Sequence, residues 1–139
     1  MANELGATEI GGGYGSTGTT LAADGDVSTD GDLVVGGDVN LDGCLILSSE
    51  NHTISTGAIT VSASLVTINA ESGSTDDLDT INGGATGYVL FLRPSGSVTI
   101  TLKHGTGNIN CPNGSDLALQ YQRAIMLYDA AQWHVLAVQ

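Results

Sequence analysis

Basic residues are almost missing from this 139-residue chain: three lysines and arginines stand against fifteen aspartates and glutamates, for a formal net charge of −12. Residues 1–92 hold thirteen carboxylates and no lysine or arginine, while Arg93, Lys103 and Arg123 fall beside Asp116 and Asp129 in the remainder. Affinity for a nucleic acid backbone comes from lysine and arginine displacing counterions, so nucleic acid is excluded as a partner. An acidic surface instead favours solubility and resists non-specific association. Aromatic residues make up only 4% of the chain. The core must therefore be built from Val, Leu, Ile and Ala, and a sugar-stacking groove for glycoside hydrolysis has too few rings in one copy. Charged residues, at 13%, are too sparse for a coiled coil or for intrinsic disorder. No apolar run approaches the roughly 20 residues of a membrane span, and no secretory apolar region follows Met1, so no membrane partner is expected. Two cysteines, Cys44 and Cys111, show no Cys-x-x-Cys or Cys/His spacing and read as buried free thiols.

Glycine is what the chain has in quantity, twenty against two prolines, which points to many tight turns. Its placement is periodic. Gly25-Asp26-Val27, Gly31-Asp32-Leu33, Gly37-Asp38-Val39 and Gly43-Cys44-Leu45 recur every six residues, each with Thr29, Val35, Leu41 or Leu47 two places on. Apolar residues two apart at a fixed short period are the mark of stacked β-strands. A left-handed β-helix uses three hexads per coil, so the five hexads of residues 19–48 make fewer than two coils, too few to bury a core alone. Three copies wound about one axis solve the shortage, with Val27, Leu33, Val39 and Leu45 meeting their symmetry mates at a trimer core and no strand edge left open.

Residues 1–18, with five glycines between Gly11 and Gly18, read as an N-terminal arm. Alternation over Ile59–Leu65 and then, in the opposite phase, over Val66–Ala70 predicts strands with a bulge or bend between them. Glu71–Asp79 reads as an exposed turn. Tyr88–Leu92 is a near-continuous apolar run suited to a strand buried on both faces, and Val98, Ile100 and Leu102 alternate with threonines. Pro94-Ser95-Gly96 predicts a turn between them, and Leu117–Leu119 a short strand. Ala124–Tyr128 and Trp133–Val138 pair as a hairpin across Asp129–Gln132. The expectation is an all-β chain: an arm over 1–18, a hexad-repeat segment of β-prism or β-helix type over 19–70, and a small β-sandwich or barrel over 71–139.

Chemistry-bearing constellations are few. Asp26-x-Ser28-x-Asp30-Gly31 imitates the start of an EF-hand loop, but Gly37 occupies the position that needs glutamate, so the aspartates read as turn residues and no metal is expected. His52, His104 and His134 stand singly, and His134 alternates with Trp133 and Val135 as an outward strand residue. No Gly-x-Ser-x-Gly elbow, P-loop or dinucleotide fingerprint occurs, so no catalytic residue and no cofactor are assigned.

The arm Ala2–Gly18 followed by Gly-Asp-Val/Leu hexads resembles virion surface proteins of tailed phages. Gly87–Leu92, Val98–His104, Gly107–Ile109, Met126–Asp129 and Trp133–Val135 are similar to the β module that ends many of their fibre and appendage proteins. The resemblance implies a trimeric, non-enzymatic virion component. Within that class a capsid decoration protein fits the short length, glycine-rich arm and acidity, with Glu4, Leu5, Glu9, Ile10 and Tyr14 of the arm touching the major capsid protein on the capsid surface. The alternative is a tail fibre or spike component binding host carbohydrate.

Overall fold

The structure, a computed structural model, describes residues 19–21, 27–29 and 33–139. The chain divides into two compact units, Met1–Cys44 and Leu45–Gln139. In the first, β1 (Thr19–Leu21) and β2 (Val27–Thr29) pair antiparallel, with Leu21 opposite Val27. Residues 33–48 contain no strand. Among the described residues the hexad segment thus shows one short antiparallel ribbon, not the β-helix coil expected of it.

The second unit begins with β3 (Ser49–Thr53), β4 (Ala58–Thr60), β5 (Leu65–Asn69), β6 (Thr75–Leu78), β7 (Thr80–Asn82), β8 (Val89–Pro94) and β9 (Thr99–Leu102). These strands wind as a β-solenoid-like stack of about three turns. Three parallel ladders define its walls: β3–β5–β8, β4–β7 and β6–β9. The sandwich or barrel expected for the C-terminal part is corrected here. Strands neighbouring in sequence pass to different walls, and each pairs with its counterpart one coil later. Glu71–Asp79 is likewise not all turn, because Thr75–Leu78 forms β6 and sends Leu78 into the core.

Beyond the last coil come β10 (Ile109–Asn110), a 3-10 turn at Pro112–Gly114, β11 (Leu117–Leu119), β12 (Ala124–Asp129) and β13 (Gln132–Val138). The first wall grows into a six-stranded sheet ordered β10-β13-β12-β8-β5-β3, where β12 runs antiparallel to both β8 and β13. The β12–β13 hairpin and β11 form where the sequence places them. The turn after β8 lies one residue further on than Pro94-Ser95-Gly96, since Pro94 ends the strand and Val98 N–H closes onto the Ser95 carbonyl.

Period-2 alternation sends Val66, Ile68, Leu90, Leu92, Ile100, Leu102, Met126 and Trp133 into one aliphatic core, and no polar side chain is buried with them. The coils approach closely at Gly83, whose φ is +89° and where an added Cβ would strike the Val61 carbonyl.

Candidate functional site

Three of the four residues expected at a trimer core are exposed in the single chain. Leu33, Val39 and Leu45 are 67%, 62% and 69% exposed; Val27 lies in β2, its side chain outside what the structure describes. Between Leu33 and Ile46 seven large apolar side chains stand exposed, Val34 and Ile46 almost completely. Fully burying one such side chain stabilises by roughly 1.5–3 kcal/mol, so this segment withholds a large favourable term while the chain is alone. Asp38 and Asp42 punctuate it, and no cation does. Arm residues Glu4, Leu5, Glu9, Ile10 and Tyr14, together with Asp24, Asp26, Asp30 and Asp32, lie outside the described residues. Cys111 is buried as expected, but Cys44 is exposed.

Where the solenoid begins, the inward positions of edge strand β3 are polar. Glu50 lies opposite Val66, and His52 opposite Ile68. The Glu50 carboxylate accepts from the Ser62 and Ala63 backbone N–H groups at 2.7 and 3.1 Å and from the Ser62 hydroxyl at 2.8 Å. Desolvation pushes this carboxyl up, yet the hydrogen bonds from Ser62 and Ala63, with the His52 ring alongside, outweigh it and hold it at about 2. His52 Nε2 sits 3.2 Å from Glu50 Oε1, at ion-pair distance but out of hydrogen-bond alignment, and finds no other partner. Beside the pair an open groove of about 370 Å³ is lined by His52, Thr53, Ser55, Ile59, Thr60 and Asn82. It offers hydroxyls and an amide but no aromatic face.

A second charged cluster joins β9 to the loop before β11. Lys103 Nζ lies 2.5 Å from Asp116 Oδ2 and 3.6 Å from Asp77 Oδ2. The hydrogen bond between Lys103 and Asp116 raises the lysine and lowers the carboxyl; the His104 N–H donating to Asp116 adds to the second effect. His104 Nδ1 accepts from the Cys111 N–H, and the Cys111 thiol donates to the Leu102 carbonyl. Burial pushes that thiol up, the opposite of what activates a nucleophile. The cluster ties a loop to a strand. Among the described residues no group of three or more His, Cys, Asp or Glu side chains is placed to hold a metal ion, and no helix is long and apolar enough to cross a membrane.

One polar device had no sequence signal. The Asn108 side chain accepts from the Ile81 N–H at 2.9 Å and donates to the Ile81 carbonyl at 2.8 Å, and Trp133 Nε1–H donates to the same carbonyl at 3.0 Å. The amide thereby stands in for the peptide group of a neighbouring strand at the free side of β7. No protein-family model, curated protein or solved structure matches this chain.

Proposed function

We propose that the chain is a capsid decoration (cement) protein of a tailed phage, acting as a homotrimer on the outer capsid surface and stabilising the expanded shell. One observation carries the reading. Residues 45–139 contain a finished aliphatic core, while the acidic segment before them displays its large apolar side chains to solvent. A chain built this way is completed by other chains, and the hexad period supports self-association with Val27, Leu33, Val39 and Leu45 as the shared core. The resemblance of arm and hexads to phage surface proteins supplies the setting.

The mechanism is mass action. A trimer that bridges neighbouring major capsid protein subunits only in the expanded lattice stabilises that lattice, as does any ligand selective for one state. Three arms with Glu4, Leu5, Glu9, Ile10 and Tyr14 add avidity, because the second and third engage at high effective concentration. Deleting residues 2–18 is expected to abolish binding to purified expanded capsids while leaving a soluble folded trimer; undiminished occupancy by the deletion overturns the arm's role. The groove beside His52, with its hydroxyls and the Asn82 amide, favours a second reading as a tail fibre or spike component that binds host carbohydrate. Glycan-array binding by the purified protein, with few copies per particle rather than many, selects that reading over decoration.

A further inference from the structure

The outer face of the six-stranded sheet carries an apolar patch on β5, β8 and β12, bordered on the same face by the polar Ser49, Thr67 and His134. Register places Leu65, Phe91, Ile125 and Ala137 side by side across β5, β8, β12 and β13, and the adjacent row carries Val89 and Leu127. Their alternating neighbours Val66, Leu90, Leu92, Ala124 and Met126 fill the core, so β8 and β12 are apolar on both sides. Two-sided apolar strands belong between two layers, yet Leu65 and Val89 remain 38% and 41% exposed. The outer layer is missing.

The margin of this face says what chemistry the missing layer has. Leu92 pairs with Ala124, which sets Arg93 beside Arg123, two of the three cations of a chain with net charge −12. Arg93 Nε donates to Thr67 Oγ1, and among the described residues neither arginine pairs with a carboxylate. Like charges on neighbouring strands repel unless an anion lies between them. The occupant must be apolar, acidic and extended. The chain owns such a segment in residues 33–46, with exposed Leu33, Val35, Val39 and Leu41 and with Asp38 and Asp42. Four strands about 4.8 Å apart make a face roughly 15 Å wide, which one extended hexad of at most about 20 Å spans.

We propose that this face, Leu65–Phe91–Ile125 rimmed by Arg93 and Arg123, seats the acidic apolar segment 33–46 of a neighbouring copy. The contact joins unlike surfaces, and such head-to-tail contacts close into rings where the rotation between copies closes and run on as open filaments where it does not. It rests on the self-association argued above and gives Leu33 and Val39 a different seat, on the neighbour's sheet instead of against their own symmetry mates.

The test uses the full chain with a photoreactive benzoylphenylalanine at Phe91, co-assembled with isotopically heavy unmodified chains. Irradiation is expected to join light position 91 to heavy peptides from residues 33–46. Cross-links confined to the same light chain, cross-links to the outer strands of a heavy chain, or no cross-link between copies each overturn the docking. Sedimentation of the same sample separates the two claims. A monomer at all concentrations sinks the self-association itself, whereas an oligomer with cross-links elsewhere sinks only this contact. Independently, R93E/R123E is expected to weaken assembly by roughly tenfold or more at unchanged thermal unfolding of the core, with partial rescue by D38K/D42K. Equal assembly by R93E/R123E and the unaltered chain also overturns it.

Discussion

Glu50 holds the start of the solenoid together through three hydrogen bonds to its carboxylate, and ionisation strengthens all three. Its folded value of about 2 lies below the ordinary 4.5, so the stabilisation is fully present above pH 4.5 and is lost as pH falls from there toward 2. Glu50→Gln is expected to cost on the order of 1–2 kcal/mol at neutral pH and to flatten the loss of stability across that acid window, read by chemical denaturation at several pH values. A variant as acid-sensitive as the unaltered chain removes Glu50 as the group responsible. Asn108 makes a second case. Asn108→Ala strips the buried Ile81 N–H of its only partner and its carbonyl of one of two, with an expected loss of about 2–3 kcal/mol in equilibrium unfolding. Neither role shows in the sequence, since nothing about an isolated Glu or Asn says which backbone group a later coil will bring within reach.

At the scale of elements, the β12–β13 hairpin turns through Ala130 and Ala131 with φ of +49° and +64°. Two positive values fit a type I′ turn, which favours Asn-Gly and strains alanine. A130N/A131G is expected to stabilise the protein by about 1 kcal/mol or more, seen as a higher unfolding midpoint; an unchanged or lower midpoint removes the strain argument. This hairpin was legible because alternation and a short connection are local facts, and the same holds for Ile100 and Leu102 in β9 and for the outward His134. The coils were not. Partner positions lie 16 residues apart from Ser49 to Leu65 but 26 apart from Leu65 to Phe91, so no fixed period announces the stacking. The regular period sits elsewhere, in hexads whose described residues 33–48 form no strand. The candidate surface was thus visible in the sequence as periodicity, and its exposure was not.

At the scale of the whole molecule, a finished module is joined to a segment that leaves Leu33, Val39, Leu45 and Ile46 in water. In the trimer proposed above, burial of these side chains is the favourable term set against the entropy of association. Sedimentation equilibrium is expected to give three times the chain mass, and L33D/V39D/L45D is expected to shift the species to monomer while the near-ultraviolet signal of Trp133 is retained. A stable dilute monomer of the unaltered chain contradicts the trimer.

The sheet ends in β10, a two-residue strand, and its last three strands abandon the parallel coil through an antiparallel hairpin. A stack finished in this manner has no template on which another coil can be laid. Laying a further parallel coil along the winding axis is therefore blocked at that edge, whatever the chain associates with.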